Sequence, residues 1–309
     1  MVQTTLHQPV LVREVVEALE IEPGGIYVDC TFGRGGHSRE ILKRLNRKGC
    51  LVVLDQDPDA IAYARQLLGK DCRVRIEYEN FARVSKVVEK YGFAGKVNGI
   101  LFDLGISSAQ LDDPKRGFSF LLEGSLDMRM NTKEGITAAD WLQRVNFHSL
   151  EEVLRMYGEE RYSKRIAAAI ISRKSERPLS TTRQLADVVS KAIGRSCEKK
   201  HPATRTFQAI RIFINQELQM LKTGLNEGMG LLAESGRMLV ITFHSLEDQV
   251  VKSVFRNQSH SGLPRKLPAV DLPKQKLRRV CKPIFPSQDE IISNSRARSA
   301  KLHVLERIA

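Results

Sequence analysis

The feature that most constrains the fold is an alternation of short apolar runs with helical stretches over the first third of the chain. The apolar runs have the length and composition of buried strands, and they lie at residues 26–31, 51–55, 74–78 and 97–103. Because parallel strands need crossover connections, this alternation predicts an α/β protein with a mostly parallel, doubly wound sheet.

The strand pattern stops in the middle of the chain and returns near its end. In between, two capping boxes at Ser149 and Thr181 open helices, within a series of helical stretches at 137–145, 149–157, 161–174, 181–193 and 203–221. Strand-like runs resume at 237–243 and 300–308. We therefore expect a core formed by residues 1–112 and 215–309, with a basic C-terminal loop over about 259–290, and an inserted all-helical substrate-recognition domain at 113–214.

The charge of the chain is positive and regional. Lys and Arg number 49 against 36 Asp and Glu, a formal net charge of +13. Residues 1–110 carry a net charge of only +1, whereas residues 111–215 carry +6 and residues 252–301 carry +9. A near-neutral first domain with basic regions elsewhere favours an enzyme with a polyanionic substrate. The alternative is a solvated surface with a basic tail.

Several protein classes are excluded or disfavoured. No apolar run approaches the roughly 18 residues of a membrane-spanning helix, and the first residues lack the pattern of a secretory signal, so we expect a cytoplasmic protein. The five cysteines include no C-x-x-C pair. This argues against a disulfide framework and against a zinc site, and we expect no metal.

Three carboxylates point to the cofactor. Asp29, Asp55 and Asp103 each lie at or just past the end of a predicted strand, where a doubly wound sheet binds its ligand. The glycine-rich turn at 33–36 follows the first strand, but Ser38 stands where the dinucleotide fingerprint requires glycine. An acidic pocket repels a pyrophosphate and suits the sulfonium and ammonium of S-adenosylmethionine. A nicotinamide cofactor is the alternative.

The absence of a Pro-Cys pair indicates which kind of atom accepts the methyl group. Methylation of a pyrimidine carbon usually needs a cysteine nucleophile, commonly in a Pro-Cys pair, and the chain contains no such pair. An exocyclic amine needs only an acceptor that orients its lone pair toward the methyl group. Asp103 is the candidate catalytic residue for this role. The alternative is that Asp103 binds only the cofactor.

Several segments of the chain resemble, in order, a known family. These segments are residues 7–11, 29–38, 103–112, 116–120, 127–130, 201–211 and 243–248. Together they resemble the bacterial small-subunit ribosomal RNA cytosine-N4 methyltransferases over nearly the whole chain. The departures are mild: Ser295 replaces a proline of the family pattern, and Thr242 stands where serine is common.

The resemblance implies a Rossmann-like methyltransferase core with a helical insertion. It also implies S-adenosylmethionine-dependent N4-methylation of a cytidine in the decoding region of 16S ribosomal RNA, within the small ribosomal subunit. The implied cofactor contacts are Gly35, Gly36, His37, Asp55, Phe81, Asp103 and Gln110. Two competing hypotheses are a non-catalytic RNA-binding factor that keeps a cofactor fold and a small-molecule methyltransferase.

Other residues have open roles. His244 follows a predicted strand and either approaches the target base or has a structural role. Arginines at four positions of the helical region either contact RNA phosphates or position loops, and these are Arg116, Arg129, Arg205 and Arg211. Near the C-terminus few acids surround the better phosphate candidates, which are Arg296, Arg298 and Lys301.

Overall fold

The computed structural model describes residues 9–194, 201–259 and 277–308. The chain divides into two compact units. One comprises Met1–Gly105 with Leu218–Ala309, and the other comprises Ile106–Glu217. The helical unit thus starts at Ile106, whereas the sequence pattern placed the boundary after residue 112. Part of the expected basic loop, residues 260–276, and the start of the resemblance at residues 7–8 lie outside the described residues.

The first unit is built on a seven-stranded sheet in the order β3-β2-β1-β4-β5-β7-β6. Strands β1 to β5 pair in parallel, and β7 is antiparallel to both β5 and β6. The strands are β1 Ile26–Asp29, β2 Cys50–Asp55, β3 Val74–Tyr78, β4 Val97–Asp103, β5 Leu232–Thr242, β6 Leu277–Arg279 and β7 Lys301–Arg307. The predicted mostly parallel, Rossmann-like sheet is confirmed.

Helices cover both faces of this sheet because side chains of successive strand residues point to opposite faces. Val52 and Leu54 of β2 belong to one apolar cluster, and Leu51 and Val53 belong to another. Asp57 caps one helix, which has Pro58 at its first position, a pairing typical of helix starts. The helices of this unit are α1 Val12–Leu19, α2 Gly36–Leu42, α3 Pro58–Leu68, α4 Val84–Lys90, α11 Glu217–Met229, α12 Ser245–Ser259 and α13 Gln288–Ser293.

The second unit is helical and has its own apolar core, which confirms the predicted helical insertion. Leu150, Ile166, Val189 and Ile210 are fully buried in that core. The helices of the unit are α5 Ser108–Asp112, α6 Ala138–Arg144, α7 Phe147–Gly158, α8 Ser163–Glu176, α9 Thr182–Ile193 and α10 Thr204–Ile214. None of the helices within the described ranges combines the length and apolarity of a membrane-spanning segment.

One local prediction is wrong and one is confirmed. The capping box at Thr181 is present, but α7 is capped by Asn146, whose side chain accepts the N–H of Ser149. The helical stretch predicted over 203–221 spans two helices, α10 and the start of α11. They separate near Gln216, whose left-handed backbone (φ 50°) cannot continue an α-helix.

Candidate functional site

Three acidic side chains lie at one edge of the sheet. Asp29, Asp55 and Asp103 are the last residues of β1, β2 and β4, and these three strands are neighbours. Because the strands are parallel, their carboxyl ends share one edge, and the carboxylates act on one another electrostatically. The structure therefore brings together the three acids that the sequence placed at strand ends.

The carboxylate of Asp55 can accept further hydrogen bonds. Its Oδ2 accepts the N–H of Gly33 at 2.8 Å, and its Oδ1 accepts the N–H of Asp57 at 2.9 Å. A carboxylate offers about four lone-pair sites, so each oxygen can accept one further donor such as a sugar hydroxyl. Burial raises the pKa of Asp55 to about 7, although both N–H groups favour the carboxylate. Asp55 therefore titrates near neutral pH.

Asp29 serves the turn between β1 and α2. It is 1% exposed, its Oδ2 accepts the hydroxyl of Ser38 at 2.6 Å, and its Oδ1 accepts the N–H of Thr31 at 3.1 Å. Burial raises the pKa of this carboxyl group. Because Asp29 is fully buried and bonded to Thr31 and Ser38, its role in this structure is to shape the turn.

His37 and Asp103 form a pair at the centre of the site. Nε2 of His37 lies 3.4 Å from Oδ2 of Asp103, and the two side chains are 5% and 25% exposed. Burial alone would lower the pKa of His37, but Asp103, Asp29 and Glu290 raise it above its ordinary value. The Asp103 side chain is thus partly accessible to a ligand, whereas the imidazole is buried.

This pair retains unused polar atoms. Among the described residues, no hydrogen-bond partner reaches either ring nitrogen of His37 or Oδ1 of Asp103. The backbone of Asp103 is fixed, since its N–H donates to the hydroxyl of Thr31 at 2.7 Å. Buried polar groups without partners are uncommon away from functional sites. The pair is therefore a candidate for ligand binding and proton transfer.

The glycines beside this pair are required by the local packing. Gly35 has φ +69°, and a Cβ there would lie 2.6 Å from the ring of Phe32. A Cβ on Gly36 would lie 2.5 Å from Cγ of Pro9. The turn therefore needs glycine at both positions whatever it binds.

Phe81 and Gln110 have packing or capping partners within their own units. Phe81 follows β3 and packs edge-on against Phe102, with ring centroids 5.7 Å apart. Gln110 lies in the helical unit, where its Oε1 accepts the N–H of Ser107 at 2.9 Å in a capping box of α5. The Ser107-x-x-Gln110 spacing is readable from the sequence and predicts this cap. Their cofactor roles stay predictions.

His244 pairs with an acidic neighbour after β5. Its Nε2 lies 3.0 Å from Oε1 of Glu247, and Oε2 of Glu247 accepts the N–H of Phe243 at 2.7 Å. Glu247 is buried and belongs to the first turn of α12. These contacts fix the chain where it leaves the sheet, which supports the structural alternative for His244.

The four arginines singled out in the helical region all make internal contacts. Arg116 donates to the carbonyl of Met130 at 2.8 Å, and Arg205 donates to the carbonyl of Glu159 at 3.1 Å. The other two make bidentate ion pairs: Arg129 with Asp127 and Arg211 with Glu217. Such contacts hold loops and helix ends, which supports the loop-positioning alternative for these arginines.

Sequence reasoning missed Glu290, which reaches the site from the far end of the chain. Its Oε1 accepts the N–H of Leu11 at 2.7 Å, and its charge acts on His37. Leu11 has a left-handed backbone (φ 55°) at the start of α1. No local pattern connects residues 279 positions apart, so only the folded chain reveals this contact.

Comparison with known proteins gives strong matches over the whole length. A model of the MraW methylase family matches residues 4–308. Ribosomal RNA small subunit methyltransferase H of Coxiella burnetii is 50% identical over 305 residues, which cover 98% of this chain and 99% of that protein. The protein of the same name from Nitrosococcus oceani is 49% identical over 304 residues, with 97% and 96% covered.

Solved structures are less similar than these sequences. A rRNA methylase from Streptococcus thermophilus aligns over 99% of this chain and 100% of its own, with a TM-score of 0.43 and 10% identity. The sequence matches are therefore the stronger of the two comparisons.

Proposed function

Because the chain belongs to the MraW methylase family, we propose that it methylates N4 of a cytidine in 16S ribosomal RNA. The proposed position lies in the decoding region of the small subunit, and the proposed methyl donor is S-adenosylmethionine. The observation that carries the proposal is the pair of buried His37 and partly exposed Asp103, at an edge of the sheet that also holds Asp29 and Asp55. The expectation of a cytoplasmic protein belongs to the same proposal.

The residues present fit a cationic donor that carries a ribose. Asp55 can accept hydrogen bonds from ribose hydroxyls at the lone pairs that Gly33 and Asp57 leave open. The carboxylates of Asp29, Asp55 and Asp103 favour positive charge and disfavour phosphate. Gly35 and Gly36 provide a turn without side chains. When bound, S-adenosylmethionine supplies an electrophilic methyl group on sulfur.

The proposed catalytic role of Asp103 follows from its position. Its carboxylate is partly exposed at the sheet edge, and its backbone is held by Thr31. There it accepts a hydrogen bond from the exocyclic amine, which aligns the nitrogen lone pair for attack. It also takes up the proton that the nitrogen releases on methylation. His37, whose pKa is raised by its acidic neighbours, lies 3.4 Å from this carboxylate and holds it in place.

The test uses small ribosomal subunits from a strain that lacks the enzyme. The subunits are incubated with the protein and labelled S-adenosylmethionine, and the modified nucleoside is mapped by mass spectrometry. We expect one N4-methylated cytidine in the decoding region. No incorporation would favour a non-catalytic RNA-binding factor, and activity toward small molecules without RNA would favour the other competing class.

A further inference from the structure

A short segment of the helical unit carries a basic surface without ion pairs. Arg161, Tyr162, Lys164 and Arg165 are all exposed, and we call these four residues the Arg161 surface. Within the part of the chain that the structure describes, no carboxylate lies within ion-pair distance of its three cations. The only acid between residues 160 and 172 is Glu160, which is buried and accepts the N–H of Tyr162 at 2.9 Å.

The electrostatics of the helix do not explain why these cations lie at this position. Lys164 and Arg165 lie in the first turn of α8, and that turn contains no acidic residue. The N-terminus of a helix carries partial positive charge and disfavours cations. Departures from such a local rule are typical of functional positions. Arg116, Arg129 and Arg211 already bind other residues of this unit. The Arg161 surface, by contrast, presents three neighbouring cations to a binding partner.

The surface also presents an aromatic ring. The Tyr162 side chain is 43% exposed, and the guanidinium carbon of Arg165 lies 5.9 Å from its ring centroid. Exposed aromatic rings next to cations bind single-stranded RNA, since the ring stacks on a base while the cations contact phosphates. An acidic protein would need the cations but would have no particular use for the ring.

We propose that the Arg161 surface is an RNA-docking surface. Arg161, Lys164 and Arg165 contact phosphates, and Tyr162 stacks on an unpaired base of the substrate RNA. This proposal rests on the proposed function, because the RNA is the small-subunit RNA that the enzyme methylates. It adds RNA-binding residues of the helical unit, none of which is among the candidate cofactor residues.

The first test neutralises the cations. The triple variant R161Q/K164Q/R165Q is compared with R177Q/R183Q/K191Q, which removes three exposed cations elsewhere in the same unit. Methylation of small subunits is measured over a range of salt concentrations. The KM for subunits should rise several-fold in the first variant, and the slope of log affinity against log salt should fall by about 2. The kcat at saturating subunits and the affinity for S-adenosylhomocysteine should not change.

Both triple variants should melt close to the wild-type temperature, since none of the replaced side chains is buried. A wild-type KM in the first variant, or an equal loss in both variants, would overturn the proposal. Failure of the wild type to methylate the subunits would instead reject the proposed function. If the wild type is active and the KM of R161Q/K164Q/R165Q equals that of the wild type, only the docking surface is rejected.

The second test separates RNA from an acidic protein of the subunit. Replacement of a stacked ring costs about 1–3 kcal/mol per base, so Tyr162→Leu should raise KM by about five- to a hundredfold. Tyr162→Phe keeps the ring and should behave like the wild type. If Tyr162→Leu has no effect while the charge variant is impaired, the surface binds an acidic protein and the RNA proposal is wrong.

Discussion

The titration of Asp55 makes the proposed cofactor site quantitatively testable. With a pKa of about 7, Asp55 is about nine-tenths ionised at pH 8 and about one-tenth ionised at pH 6. Ribose hydroxyls donate to the ionised form, so ligand binding should favour it. The affinity for S-adenosylhomocysteine should therefore fall about tenfold between pH 8 and pH 6, or about 1.4 kcal/mol.

Isothermal titration calorimetry across this pH range measures the effect directly. Asp55→Asn should remove the Asp55 contribution to the pH dependence and weaken binding at pH 8 by about 1.5–3 kcal/mol, the range for hydrogen bonds to charged groups. The matched control is Asp187→Asn, an exposed carboxylate on α9. Because His37 is present in both variants, a pH dependence that is lost only in Asp55→Asn comes from Asp55 and not from His37. Unchanged affinity or an unchanged pH profile in Asp55→Asn would refute the role of Asp55 in ribose binding.

Three further predictions concern catalysis and stability. Asp103→Asn should abolish methyl transfer in single-turnover assays at saturating cofactor; near-normal turnover would contradict its role at the amine. Gly36→Ala should destabilise the protein to urea by about 1–3 kcal/mol, because its Cβ would meet Pro9 at 2.5 Å, whereas Gly24→Ala, with its nearest atom at 3.8 Å, should not. Lys174→Met should also cost about 1–3 kcal/mol, because the ammonium donates to the carbonyls of Leu142 and Gln143 at the end of α6. A urea midpoint equal to the wild type would refute that capping role.

Local and periodic patterns predicted most of the sheet. The strands up to β4 follow from apolar runs separated by helices, and the start of α3 follows from Asp57 and Pro58. The exact position of the break at Gln216 was not predictable in the same way. Helical periodicity continues across it, and only the left-handed backbone at that residue separates α10 from α11.

The candidate site was predictable where topology decides and not where tertiary packing decides. Asp55 and Asp103 could be placed because each ends a parallel strand, and such ends meet at one edge. The 3.4 Å approach of His37 to Asp103 and the contact of Glu290 with Leu11 depend on how distant segments pack. Likewise, the sequence left two roles open for Arg116, Arg129, Arg205 and Arg211, and their internal contacts became visible only in the folded chain.

The most direct test of the central claim is a crystal structure with S-adenosylhomocysteine. We predict the ribose hydroxyls within hydrogen-bond distance of Asp55 and the sulfur close to the Asp103 carboxylate. A ligand that binds away from the carboxyl ends of β1, β2 and β4 would contradict this account of the site.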